Sequence, residues 1–261
     1  MIEATKCIRE VQINKILKHL GDINSKNYCD NFLPAIKSTI LKGCYPQILI
    51  EIWEEYKRKF ENDEERQSIN NHPTEYSNEN QFYLALQFVL GGEELQNVKL
   101  ENVNQALSIF CQTALALAVF EKQLNGEHRD LHNSNILLSP TDETTILFKI
   151  DGKEIIVKKG AVTFKNLECL VNQGNTAHWK CYNDMKKVLI ETGDAKDSDE
   201  IWKRSNLKTN LIWLHYVSKE LARKFGKKYN ILNFMKIDKS CNSCSAYTSS
   251  ANFKALCKKL E

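Results

Sequence analysis

Residues 128–138 read HRDLHNSNILL. One carboxylate, Asp130, sits among His128, Arg129 and His132, two amides follow at Asn133 and Asn135, and Ile136-Leu137-Leu138 closes the stretch as a short β-prone run. So much hydrogen-bonding chemistry running straight into three aliphatic residues is odd for plain surface. The spacing raises the question of a phosphoryl-transfer loop, and the plainer alternative is a polar loop whose His and Arg bond nearby carbonyls.

The flanks narrow the choice. Upstream, residues 102–124 place Val103, Leu107, Phe110, Ala114, Leu117 and Phe120 three or four apart with small alanines between, which predicts a helix buried on most sides. Downstream, TTILFKI, Asp151-Gly152 and KEIIVKK set two β-prone arms around a turn dipeptide and predict a hairpin. AVTF at 161–164 predicts another short strand, and 179–191 and 211–225 predict helices. Nearer the N-terminus, Ile13, Ile16, Leu17 and Leu20 predict a helix over 8–20 closed by Gly21, with Glu10, Asn14 and Lys18 off its apolar side. Residues 44–60 predict a helix with Pro46 in its first turn and a stripe of Ile48, Ile52, Trp53 and Tyr56. Polar residues 61–80 predict a surface loop, and QFYLALQFVL at 81–90 predicts a buried strand ending at Gly91-Gly92.

Length and composition agree with one large domain or two unequal lobes. The chain has 261 residues, 42% of them hydrophobic and 26% charged, and its net charge of +3 gives no reason to expect nucleic acid or an anionic membrane as partner. ALALAVF at 114–120 is too short to span a bilayer, and the N-terminus has no signal-like apolar block. Nine scattered cysteines suit reduced thiols in a nuclear or cytoplasmic compartment.

His128-Arg129-Asp130-Leu131 and Asn135 fill all five fixed positions of the protein-kinase loop H-R-D-L-x-x-x-N, a match expected by chance on the order of one time in ten thousand. His132 stands where ordinary Ser/Thr kinases carry lysine, and the string H-R-D-L-H resembles the haspin family of atypical kinases. The resemblance extends in order over residues 8 to 225: REVQINKIL resembles the αC helix with Glu10 as its glutamate, and Tyr45-Pro46 with Trp53 resembles the helix that follows. Phe88 matches the gatekeeper, Val89, Leu90 and Gly91 the hinge, and LIWLHY at 211–216 the C-terminal Trp-Leu-His-Tyr helix. It implies an α+β, bilobal kinase-like fold, with a reduced N-lobe over 1–90 and a mainly helical C-lobe over 91–261. It also implies ATP and magnesium as cofactors and transfer of the γ-phosphate to Ser or Thr, typically a threonine in a basic histone tail. By the same resemblance Asp130 orients the acceptor hydroxyl, Asn135 binds magnesium, His132 faces the phosphates, and residues 88–91 hold adenine. A chromatin-associated monomer, with no membrane and no direct nucleic-acid contact, is the matching expectation.

Three positions depart from the family pattern. No G-x-G-x-x-G string and no strand lysine precede Glu10, so Glu10 lacks its expected partner in this sequence. The second metal ligand has two candidates. Asp151 is one, although its Asp-Gly also reads simply as a hairpin turn. The alignment of 161–170 with the family's metal-binding strand instead puts Asn166, or Lys165, where the Asp belongs. In HWKCYNDM, residues 178–185, Lys180 stands where the family has the Asp that supports the loop from behind, with Asp184 one turn later. These departures leave a non-catalytic pseudokinase, or a truncated kinase fragment acting as an interaction module, as the alternative function. Cys241-x-x-Cys244 has the spacing of half a zinc site but no second pair, and reads as free thiols. GDAKDSDE at 193–200 and Glu93-Glu94 are acidic enough to attract a basic peptide, though charge runs are commonly solvated faces.

Overall fold

A computed structural model describes residues 4–63, 71–75, 78–160, 162–166, 179–191, 198–225 and 230–260. The chain divides into two compact units: residues 1–14 with 35–88, and residues 15–34 with 89–261. Residues 15–34 thus group with the second unit, although the sequence placed them in an unbroken first lobe over 1–90. The hinge-like stretch at 88–91 straddles the other boundary.

α1 (Ala4–Lys18), whose residues up to Asn14 belong to the first unit and the rest to the second, begins one turn earlier than the periodicity predicts. Its buried face is also different: Ile8, Ile13 and Ile16 are exposed, while Asn14 is buried together with Leu17 and Leu20. The reason is polar. Asn14 Oδ1 accepts from the Ala35 backbone N–H at 2.7 Å, and Asn14 Nδ2 donates to the Glu10 carbonyl at 3.0 Å. An amide that satisfies a backbone donor gains more inside than outside, and it carries Glu10, one turn away, onto the same side. β1 (Lys37–Lys42) pairs antiparallel with β2 (Phe82–Gln87), and this two-stranded sheet leaves Ile40, Leu41 and Phe82 exposed. The expectation of a buried strand over 81–90 therefore holds for the strand and fails for the burial, because two strands offer too little surface to cover both faces. α2 (Gln47–Lys59) has Pro46 as its N-cap and buries Ile50, with Ile48, Ile52 and Tyr56 outward. Trp53, half-buried, meets His72 edge-on at 4.7 Å. The loop expectation over 61–80 falls partly outside the described residues; within it, Pro73–Glu75 form a 3₁₀ turn.

The second unit is organised around α3 (Val103–Leu124). Asn102 caps its start, its side chain accepting from the Gln105 N–H at 3.0 Å, and Asn125 closes it in the left-handed conformation at φ 50°. This helix is long and apolar enough to cross a bilayer, which the short ALALAVF stretch did not suggest. The structure buries 83% of its most apolar window inside the protein, so packing accounts for its composition. β3 (Glu93–Glu94), β4 (Ile136–Pro140) and β7 (Val162–Asn166) form one antiparallel sheet. β5 (Thr145–Ile150) and β6 (Lys153–Lys158) form the predicted hairpin, turning at Asp151 (φ 52°) and Gly152 (φ 79°). α4 (Trp179–Ile190), α5 (Ser198–Lys203), α6 (Lys208–Phe225), α7 (Cys244–Ser249) and α8 (Ala251–Leu260) complete the unit, and Phe110, Leu115, Leu117, Trp213 and Tyr247 are at most 2% exposed in its core.

One buried carboxylate fastens the C-terminal helices to this core. Glu121 of α3 accepts from the backbone N–H groups of Cys244 and Ser245, at 2.9 and 2.7 Å, at the start of α7. It also accepts from Asn210 Nδ2 at 3.1 Å. Burial pushes its pKa up, and these bonds oppose the shift. Cys244 is buried beside it, its thiol pushed up by burial and then by Glu121, while Cys241 is half-buried. Among the described residues no cluster of His, Cys, Asp or Glu could hold a metal. Glu121→Ala leaves two helix-start N–H groups and an amide without their acceptor, so urea unfolding should show a loss of about 2–4 kcal/mol, with a smaller loss for Glu121→Gln.

Candidate active site

The stretch at 128–138 leaves α3, turns, and enters β4 through a 3₁₀ turn at Asn133–Asn135. Its backbone is anchored by Asn210 of α6. The Asn210 Oδ1 accepts from the His128 N–H at 2.9 Å, while Nδ2 donates to the Gly126 carbonyl at 2.9 Å. His128 turns its ring inward to the loop, Nδ1 accepting from the Asp130 N–H at 3.2 Å. Leu131 is buried in the core and fixes the loop's depth.

Arg129 adopts φ 61°, a conformation that L-residues rarely take. Its guanidinium compensates by donating to the carbonyls of Trp202 and Arg204 and to the Glu127 carboxylate at 3.2 Å. Trp202 lies in the last turn of α5, where unpaired carbonyls favour a cation. Glu127, its side chain 5% exposed, also accepts from Ser205 Oγ and Thr209 Oγ1 at 2.6 Å and from the Asn206 N–H at 2.9 Å. Burial alone would raise its pKa, but Ser205, Thr209 and Arg129 outweigh it and hold the carboxyl below its usual range.

The candidate site groups converge at Asp130. Asn135 Nδ2 donates to the Asp130 carbonyl at 2.6 Å and faces its Oδ2 at 3.4 Å. His132 Nε2 lies 3.8 Å from Oδ1, and its Nδ1 accepts from the Ser134 N–H at 3.3 Å, capping the 3₁₀ turn. Tyr182 Oη of α4 donates to Asp130 Oδ1. Behind the loop, Asn133 Nδ2 donates to Glu220 at 2.8 Å. Asn135 Oδ1 is buried and accepts no hydrogen bond among the described residues.

That oxygen tests the fit of a magnesium ion. A buried amide oxygen beside a carboxylate, with its own N–H₂ committed elsewhere, is a suitable hard ligand, so Asn135 fits. Asp151 does not join it. The Asp151 carboxylate is exposed at the hairpin turn and pairs with Lys122 Nζ at 2.7 Å, while its N–H donates to Asn27 Oδ1 at 2.8 Å. Its Asp-Gly geometry answers to the turn, as the positive φ at both residues requires. Instead β7 lies next to the loop: Asn166 pairs with Ile136, one residue beyond Asn135, and Lys165 with Leu137, both described by their backbone alone.

Other predicted positions fall as follows. Glu10, in the first unit, accepts from Asn14 Nδ2 at 3.3 Å. Phe88 is half-buried, Val89 and Leu90 are exposed, and Gly91 is buried where an added Cβ would meet Leu137 and Leu33. Lys180 is exposed, and Asp184 pairs with Lys187 at 3.1 Å, so neither supports the loop. Asn210, Glu127 and Arg129 do that work. Glu127 and Asn210 carry no motif of their own, and in HWKCYNDM the group that meets the loop is the phenol of Tyr182, where the family pattern points to a carboxylate.

The sequence profile of the haspin-like kinase domain matches residues 8–258. The chain belongs to the haspin-like kinase family. Relatives include the serine/threonine-protein kinase haspin homolog of Arabidopsis thaliana, 28% identical over 82% of this chain and 37% of its own length. The haspin homolog of Drosophila melanogaster is 29% identical over 73% and 35%, and serine/threonine-protein kinase haspin of Mus musculus 26% over 90% and 31%. The chain thus spans about a third of the length of these relatives. Membership places the HRD loop within a kinase-like fold of mixed helix and small sheets, in a family of serine/threonine kinases.

The electrostatics of Glu127 give a pH signature. Its folded pKa is depressed, so the stability it contributes is fully present above its ordinary value of about 4.5 and is lost as pH falls through the lower folded value. Glu127→Gln should flatten that acid-side decline in urea titrations between pH 3 and 6, roughly, and lower stability at pH 7 by about 1–3 kcal/mol.

Proposed function

We propose that the chain acts as a haspin-like protein serine/threonine kinase, transferring the γ-phosphate of ATP to a Ser or Thr hydroxyl, with a threonine in a basic histone tail as the typical acceptor. The observation that carries this reading is the unsatisfied, fully buried Asn135 Oδ1 beside Asp130. Leaving a buried carbonyl unpaired costs about 1–3 kcal/mol, and a bound cation would remove that cost. Asn135 would hold magnesium, which when bound draws phosphate oxygens together and neutralises charge that develops in transfer. Asp130 accepts the hydrogen of the acceptor hydroxyl and orients it. His132, with its ring beside Asp130 and anchored by Ser134, presents a donor towards the phosphates. By the family resemblance, backbone groups of Phe88 to Gly91 take the adenine. Glu93, exposed on β3, adds charge suited to a basic peptide.

A non-catalytic binding module is the second reading, and one feature favours it: Lys165-Asn166 offers no carboxylate at the family's metal-strand position. Phosphate incorporation separates the two. The purified chain with Mg-ATP and a histone-tail peptide should label threonine, Asp130→Asn should lower the rate by about a hundred-fold or more, and Asn135→Ala should raise the magnesium concentration needed for half-maximal rate. No labelling, together with no thermal shift on adding Mg-ATP, would leave the binding-module reading standing.

A further inference from the structure

Asp130 is already bonded to a hydroxyl. Tyr182 Oη donates to its Oδ1, which is the contact that a Ser or Thr acceptor makes when a kinase aspartate orients it. The Tyr182 ring is set by packing: it meets the fully buried Trp213 edge-on, centroids 5.5 Å apart at 82°, and Trp213 in turn meets Tyr216 at 5.6 Å. The rest of the carboxylate is crowded. Asn135 Nδ2 faces Oδ2, His132 Nε2 stands 3.8 Å from Oδ1, and the Asp130 side chain is only 16% exposed.

We propose that Tyr182 is an intramolecular stand-in for the acceptor hydroxyl, so that peptide threonine engages Asp130 only when the Tyr182 phenol gives way. This regulation rests on the kinase reading of the same loop. Nothing covalent is involved: one O–H···O⁻ bond exchanges for another. A hydrogen bond to a charged acceptor is strong enough to hold the site mostly closed, yet a single rotation of the phenol away from Asp130 breaks it. Because the competitor is tethered, it should raise the apparent KM for peptide and leave nucleotide affinity alone.

Tyr182→Phe keeps the ring against Trp213 and removes only the O–H. Using the full chain, Mg-ATP and a histone-tail peptide with a single threonine, this variant should raise kcat/KM for peptide by about ten-fold or more through KM, with KM for ATP unchanged. An unchanged or lowered kcat/KM in a variant that still binds ATP overturns the gate and makes Tyr182 an ordinary positioning residue. If neither protein transfers phosphate, the kinase reading fails separately, and the gate is judged by calorimetric binding of the peptide against its Thr→Val counterpart. The gate requires Tyr182→Phe to prefer threonine over valine while the unaltered chain shows no preference; equal behaviour of the two proteins overturns it.

Discussion

A single buried amide, Asn210, joins the interior of the second unit to the HRD loop. Its Nδ2 reaches Glu121 in the core helix and the carbonyl of Gly126, while its Oδ1 receives the His128 N–H. Glu121 uses its other contacts to start α7. One side chain thereby couples three things: the position of α3, the docking of the C-terminal helices and the entry of the HRD loop. Networks of this kind are costly when half satisfied, because each buried group that loses its partner pays the full desolvation penalty. The loop's geometry therefore inherits the rigidity of the core.

Arg129 illustrates the same logic with charge. Its left-handed backbone is unfavourable by itself, and is held because its guanidinium meets two carbonyls at the end of α5 and the depressed carboxyl of Glu127. With these donors engaged, Arg129 shapes the loop from behind and leaves the front to Asp130, Asn135 and His132. The Ser205, Asn206 and Thr209 contacts on Glu127 extend that clamp into the start of α6.

Much of this was legible in the sequence where local chemistry and tertiary demand coincide. α3 has one apolar period. The hairpin at Asp151-Gly152 has one available turn, and HRDLHNSN has its fixed spacing. Periodicity failed where a polar residue had a better use for the interior than an apolar one. Ile13 and Ile16 look inward by pattern, yet Asn14 is buried because Ala35 supplies a donor that only the folded chain brings near. The stripe on α2 fails too: Ile50 is buried, while Ile48, Ile52 and Tyr56 are exposed. Asp184 and Lys180 were plausible partners of the loop by position, but α4 turns Tyr182 towards it instead. Tyr182 is two residues from each, a rotation of about 200° around the helix, and that phase, which position alone does not show, decides which side chain meets Asp130.

The orientation of Asn135 links fold and chemistry most closely. An amide cannot present nitrogen and oxygen in the same direction, so committing Nδ2 to the Asp130 carbonyl fixes where Oδ1 must point. The fold thus leaves Oδ1 buried and without a hydrogen-bond partner among the described residues. The same bond sets Asp130, since its carbonyl is held on one side while Tyr182 meets its carboxylate on another. One hydrogen bond between residues five apart therefore sets both the direction of Asn135 Oδ1 and the carbonyl side of Asp130. The 3₁₀ turn at Asn133–Asn135 is what returns the amide to Asp130, so a residue added between them would displace Nδ2 from the Asp130 carbonyl.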